Sequence, residues 1–307
     1  MASLRETRDR INSVRSTLKI TSAMKLVASA KLRKAQRAIE SLRPYERSLA
    51  EILSAVTSVA STRSALCSHS GLLHSHSGLL HSHSGLDPES HTDNPATAIV
   101  AIASNSSLCG GFNANVLRKA VETIQGCEGE VELYPIGRKM ADGLRRAGYS
   151  AAGDWNDLVG HPAYDKSAEL ARSLSERFLA GEIARVVLVY TRFRSASSQE
   201  PVAETWLPYG IPDQVGDDKK GVGDDIKYIL EPDAETLIAQ LLPQVLLLKF
   251  HAAVLESAAA EQAARTIAMQ TATDNGEDLL AELTLEYNKG RQQKITSEIL
   301  DLLGGSQ

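Results

Sequence analysis

The run Ser104-Asn105-Ser106-Ser107-Leu108-Cys109-Gly110-Gly111-Phe112-Asn113 is the part of this chain whose residue types come nearest to a ligand site. A glycine-containing turn between a strand and a helix can lay backbone N–H groups against a phosphate. Here the fingerprint is incomplete. The chain has no G-x-G-x-x-G, no G-x-x-x-x-G-K-[ST] and no lysine at the loop-to-helix junction. The residues favour tight chain reversal at Gly110 and Gly111, because glycine tolerates left-handed backbone, with Cys109 a small buried side chain. A nucleotide site is the alternative. A second candidate is the segment 68–86, where His-Ser-His-Ser-Gly-Leu-Leu recurs every seven residues and supplies His69, His74, His76, His81 and His83, with His91 beyond. Clustered neutral imidazoles can bind zinc, nickel or copper. No cysteine or carboxylate lies within the repeat to complete a site, and Ser/Gly-rich tandem repeats form loops, so a repeat-expanded loop is the simpler reading and metal storage or sensing the alternative. His161 and His251 stand alone in sequence. With no nucleophile elbow, no H-E-x-x-H and no paired carboxylates, nothing points to catalysis by this chain.

The elements that must position these residues alternate. Apolar runs at 96–103, 130–136, 185–193 and, more weakly, 201–207 read as strands, and stretches at about 113–125, 138–147 and 163–179 read as helices. That rhythm predicts a small α/β unit with a largely parallel sheet. Its centre would be Ala98–Ile102 and Val186–Tyr190, which are continuously apolar, as strands covered on both faces should be. The Gly- and Asp-rich stretch 213–225 reads as a solvated loop.

The two ends read as long helices. Leu4, Thr7, Ile11, Val14, Leu18, Thr21, Lys25, Ala28, Leu32, Ala35, Ile39 and Leu42 alternate at three and four residues, the spacing of a coiled-coil seam, which Thr7, Thr21 and above all Lys25 spoil. From about 231 to 303 runs a second helical stretch with an Ala-rich face that includes Leu248, Ala252, Leu255 and Ala259. An antiparallel pairing of the ends is the simplest architecture. Residues 1–47 hold twelve basic against four acidic side chains, net +8, and residues 231–307 five against twelve, net −7. Opposite charge helps the two ends pair and leaves the first a surplus for an acidic third party.

Composition sets further limits. The 307 residues provide for one or two domains, and the 5% aromatic content suits rods packed through Ala and Leu. A net charge of −5 argues neither for nor against nucleic acid. Cys67, Cys109 and Cys127 lack C-x-x-C spacing, which speaks against a disulfide framework or zinc knuckle and for a reducing compartment. The most apolar stretch, 237–255, is interrupted by Gln240, Pro243, Gln244, Lys249 and His251, so no membrane span is expected.

The segment Ile11-Asn12-Ser13-Val14-Arg15-Ser16-Thr17-Leu18-Lys19-Ile20-Thr21-Ser22-Ala23-Met24-Lys25-Leu26-Val27-Ala28 resembles the opening helix of the gamma subunits of rotary F-type ATP synthases. The resemblance extends to 261–275, to Asn288-Lys289-Gly290-Arg291-Gln292, to Ile295-Thr296-Ser297-Glu298, and to Leu108-Cys109-Gly110-Gly111 with Asn113 in the centre. Departures are local. Ser107 and Ser306 replace a usual Gly and Ala, the His repeat is an insertion, and the acidic loop lacks the cysteines of chloroplast relatives. With no transit peptide, the resemblance is to the bacterial type.

What the resemblance implies is an α/β fold, with the N- and C-terminal helices in an antiparallel coiled coil and a Rossmann-like α/β domain between them. The expected division is 1–60 helix, 61–95 His/Ser-rich insertion, 96–212 α/β domain, 213–230 acidic loop and 231–307 helix. The implied role is the central shaft that turns with proton flow and forces catalytic sites on its partners through successive affinities, with no catalytic residue or cofactor of its own. Implied partners are the alpha and beta subunits of the catalytic ring, the epsilon subunit and the membrane ring of c subunits, without nucleic acid or direct bilayer insertion. The implied location is the cytoplasmic face of the bacterial inner membrane. Some 70 helical residues make a rod of roughly 100 Å, long enough to pass through such a ring. By the same resemblance Met24 and Lys25 meet a moving acidic segment of a beta subunit. Arg33 and Lys34 continue that basic face, and Arg291, Gln292, Thr296 and Glu298 make the upper contact. Read without the resemblance, Arg33 and Lys34 are a solvated helix face, whereas an ammonium at Lys25 suggests that the seam opens there.

Overall fold

The computed structural model describes residues 4–59, 95–153, 155–160, 162–210, 231 and 233–304. The His-rich repeat, the Gly/Asp-rich stretch, His161 and Ser306 lie outside them. Two compact units emerge, each fed by both ends of the chain: Met1–Leu32, Leu108–Gly110 and Gln262–Gln307 in the first, Arg33–Ser107 and Gly111–Glu261 in the second. Helices α1 (Leu4–Val59) and α6 (Ala234–Gly304) contribute to both.

In the second unit the apolar runs form strands β1 (Ala96–Ile102), β2 (Val131–Ile136), β3 (Ile183–Phe193) and β4 (Gln199–Leu207), in spatial order β2-β1-β3-β4. β1 pairs parallel with β2 and β3, setting Ile99 opposite Leu133 on one side and Val187 on the other. β4 is an antiparallel edge, with Ala203 opposite Val189. Between them lie α2 (Phe112–Gln125), α3 (Arg138–Arg146), a one-turn α4 (Asp157–Gly160) that the sequence did not suggest, and α5 (Tyr164–Leu179). Ala98 to Ile102 are at most 2% exposed, because helices cover both faces of the central strand.

Side chains alternate between those faces. Ala98, Val100, Ile102, Val186, Leu188 and Tyr190 join one core with Leu53 and Val56 of α1, Leu170 and Leu174 of α5, and Ile238, Phe250 and Val254 of α6. Trp206 donates its indole N–H to Leu246 O at 3.1 Å and meets the Phe250 ring edge-on. By length and composition alone α6 holds a stretch able to cross a membrane. Here Ile238, Val245, Phe250 and Val254 are spent on the sheet, each at most 1% exposed. Asp233 caps the helix, its carboxylate accepting from the Thr236 N–H and hydroxyl at 2.8 Å each.

The first unit is a helix pair. A methyl group built on Gly290 would stand 3.1 Å from Leu4 Cδ2, and one on Gly276 would stand 2.7 Å from Leu18 Cδ2, so each leucine fills the space its glycine leaves. Thr273 meets Thr21. Between the first two contacts, fourteen residues along α1 match fourteen along α6 in the opposite direction, and the threonine pair continues the same register. The helices are antiparallel. That register exposes a second seam, Met269, Thr273, Gly276, Leu280, Leu283, Tyr287 and Gly290, spaced four-three throughout. It also corrects one expectation about the first. Thr7 and Thr21 do not spoil the seam; they are buried members of it, 4% and 9% exposed. Lys25 is half-buried, as are Leu4, Val14, Leu18, Ala35 and Leu42 of the same seam.

Candidate functional site

The turn after β1 is closed by its own polar groups. Ser104 N–H and Oγ–H both point at Asn113 Oδ1, at 3.1 and 2.9 Å, and Asn113 Nδ2 donates to Ser106 O at 3.3 Å. At the start of α3, Arg138 N–H donates to Asn105 Oδ1 (2.9 Å) and Lys139 N–H to Ser104 O (3.0 Å). Those are amides that a phosphate would need. In this strand order the topological switch point, where open α/β sheets take ligands, falls beyond the ends of β1 and β3. α6 occupies it. Ser257 Oγ reaches Ile102 O at 3.5 Å, and the Phe193 N–H bonds to the Glu256 carboxylate. Of the two glycines read as reversing the chain, Gly110 does have left-handed backbone, φ +58°, and packs towards Ala268. Gly111, at φ −81°, does not. The second left-handed residue is instead Leu108 (φ 67°), whose side chain is 59% exposed. Cys109 is buried, as expected.

A cleft of about 310 Å³ opens in the second unit between α1, α6 and the β3–β4 ribbon, lined by Glu46, Tyr190, Arg192, Trp206, Lys249 and Glu256 among others. Burial pushes the Glu46 and Glu256 carboxyls up, against the pull of Arg43 on both and of Lys249 and Arg192 on one each. Arg43 lies 3.8 Å from Glu256 and joins α1 to α6 there. His251 is a core histidine: its Nδ1 is 2.8 Å from Ser167 Oγ, the Tyr164 ring meets it edge-on, and desolvation lowers its pKa. Ser167 is fully buried and also bonds Tyr164 O at 2.8 Å, so this pair fastens α5 to α6 and offers no accessible nucleophile.

The surface of the first unit is different. Ile20, Leu26 and Val27 of α1 are 60%, 68% and 57% exposed, although their neighbours Thr21 and Ala28 are buried. On α6, Leu4 of α1 stands opposite Gly290, and every residue from 291 to 300 is exposed. Ile295, Ile299, Leu300 and Leu303 thus present apolar side chains to solvent.

A family model described as ATP synthase matches residues 3–307. A curated relative from Phocaeicola vulgatus, an ATP synthase gamma chain, is 43% identical over 319 residues, covering 100% of this chain and 99% of its own. The chain belongs to the ATP synthase gamma chain family. A Bacteroides fragilis gamma chain is 44% identical over 312 residues, with the same coverage. Among solved structures, a rotor chain of Euglena gracilis mitochondrial ATP synthase matches with TM-score 0.59 at 20% identity, over 95% of this chain and 98% of that one. A chain from the OSCP/F1/c-ring assembly of the same enzyme gives 0.62 at 20%, over 98% and 93%. These likenesses concern the fold.

The residues carried over from the gamma family fall in three places. Met24 and Lys25 are half-buried on the α1 side of the helix pair, Arg33 and Lys34 are exposed on α1 within the second unit, and Arg291, Gln292, Thr296 and Glu298 are exposed on the bare end of α6. Thr296 Oγ1 returns to Gln292 O at 2.9 Å, and Lys294 approaches Glu298 at 3.7 Å. Sequence reasoning missed the apolar surface beside the first and the last of these sets. Ile20, Leu26 and Val27 carry no chemical signal, and only the fact that 21 and 28 already occupy the seam could have marked 20 and 27 as outward.

Proposed function

We propose that this chain is the rotating central shaft of a bacterial F-type ATP synthase, coupling proton flow through the membrane rotor to conformational change at catalytic sites on its partners. The observation that carries it is the bare end of α6. A lone subunit gains nothing by holding Ile295, Ile299, Leu300 and Leu303 in water, and apolar patches of this kind mark surfaces that are covered in an assembly. Family membership names the assembly. In this reading the alpha and beta subunits surround the first unit's helices. Met24 and Lys25, with Ile20 and Val27 beside them, meet a beta subunit, and Arg33 and Lys34 extend that contact. Arg291, Gln292, Thr296 and Glu298 form the upper bearing, while the epsilon subunit and the ring of c subunits hold the other end. The chain supplies no catalytic group and no cofactor. Its place is peripheral, on the cytoplasmic face of the inner membrane. A tagged chain should bring down alpha, beta, epsilon and c subunits together. Removing residues from Ile295 onward should then weaken ATP-driven proton pumping while circular dichroism of the chain keeps its folded signal. Recovery of the chain without alpha and beta subunits would sink the shaft reading, and global unfolding of the truncated chain would sink the placement of the bearing.

A further inference from the structure

Inside the seam of the first unit two hydroxyls face each other. Thr273 Oγ1–H donates to Thr21 Oγ1 at 3.1 Å, leaving the Thr21 proton for Leu18 O, also at 3.1 Å. Both side chains are buried. A second arrangement, with Thr273 returning its proton to Met269 O at 2.8 Å and Thr21 donating across, keeps the same interhelical bond. One turn along, Leu18 fills the space over Gly276, and at the end of the pair Leu4 does so over Gly290. A seam of leucine and isoleucine alone discriminates poorly between neighbouring alignments, whereas a polar pair within it specifies one. Sliding α6 by one turn would move Leu18 off its glycine and onto Thr273 or Leu280, and would separate the hydroxyls.

We propose that Thr21 and Thr273, backed by Gly276, are positioning residues that fix the register and rotational phase of α1 on α6, and so aim the neighbouring Ile20, Met24 and Val27 surface. On a helix advancing about 100° per residue, Ile20 and Val27 lie on one flank, roughly 100–120° around from Thr21. Any rotation of α1 about the seam therefore swings that flank directly. This inference rests on the shaft reading and names what holds the shaft's contact surface in phase.

The test uses the assembled complex carrying T21V/T273V or T21S/T273S. Valine keeps the threonine shape, and replacing both partners of a buried hydrogen bond by apolar groups is close to neutral in stability, so the double valine separates position from stability. Subunit content, ATP hydrolysis and ATP-driven proton pumping are measured on each preparation. The serine pair, which restores the bond, should pump as many protons per ATP as the unaltered chain. The valine pair should assemble and hydrolyse ATP, yet pump about fivefold less per ATP, the factor expected when one such bond no longer biases the alignment. Equal pumping by the valine pair overturns the proposal, as does an equal loss in the serine pair. A valine-pair chain that does not assemble is followed by the distance between spin labels placed at Ser16 and Asp278, both exposed and opposite in this register. A second, shifted distance in the valine pair alone is expected, and a single unchanged distance overturns the proposal. If complexes with the unaltered chain fail to pump, the shaft reading itself has failed.

Discussion

At the scale of single residues, charge and burial predict different sensitivities. Arg33 and Lys34 are exposed, and exposed ion pairs contribute about 0–1 kcal/mol each. Changing both to Ala should lower pumping only moderately, whereas R33E/K34E should be much worse, because in the proposed contact like charges would then face an acidic segment of the beta subunit. That difference should shrink with salt, as the Debye length falls from about 10 Å at 0.1 M to 3 Å at 1 M. Equal pumping by the Ala and Glu variants across a salt series would reduce the basic face to a solvated surface. His251 behaves oppositely because it is buried. Its folded pKa is depressed by desolvation, so its neutral form contributes stability that is complete above the unfolded value of 6.5 and is lost as pH falls below it, when the unfolded chain takes up a proton that the folded chain refuses. Glu46 and Glu256, whose carboxyls are raised, act in the other sense, losing stability as pH rises above their ordinary 4.5. The urea midpoint of H251Q minus that of the unaltered chain should therefore rise as pH falls below about 6.5; a flat difference curve would mean that His251 reaches solvent. The charged residues of the proposed contact were picked out because they sit in specific motifs. Their apolar neighbours were not, since an exposed isoleucine and a seam isoleucine are the same letter.

At the scale of elements, the four strands and the long helices were legible to within two or three residues, because continuous apolar runs and four-three spacing are strong signals. The α6 seam beyond Ala259 was not. Its positions are held by Thr273, Gly276, Tyr287 and Gly290, residues that no hydrophobic pattern selects, and their logic is visible only in register with Thr21, Leu18, Thr7 and Leu4 of α1. The pairing is large against small. A leucine at 276 should therefore be costly, since Leu18 already fills that space, and overpacking costs about 1–3 kcal/mol. Alanine there should be nearly neutral. Its methyl meets only the far end of Leu18, which can move, and helix propensity favours Ala over Gly by about 1 kcal/mol. Amide exchange should locate the effect of G276L in residues 4–28 and leave β1 protected. If β1 lost protection equally, the helix pair would not be a separately opening unit.

At the scale of the whole molecule, the open question was whether an α/β sheet with a glycine turn makes this chain a nucleotide-binding protein in its own right. Fold class alone does not decide it, since such sheets take nucleotides at the switch point whenever that crevice is free. Here both ends of the chain return to the sheet, and α6 brings Ser257 to the end of β1 and Glu256 to the end of β3. An ionised carboxylate at that position repels a phosphate. The amides at the start of α3 are taken by Asn105 and Ser104. The sequence could show that the fingerprint was missing, but not that a helix more than 150 residues downstream fills the space, because that is a long-range packing fact with no local signature. The isolated chain should therefore neither bind nor hydrolyse ATP. Calorimetry at micromolar nucleotide should give no heat of binding. E256A with S257G removes the obstruction without supplying a phosphate cradle, so it should not create a site either. Micromolar affinity in the unaltered chain, abolished by changing Ser104 and Asn105, would overturn this and return the glycine turn to the list of functional sites.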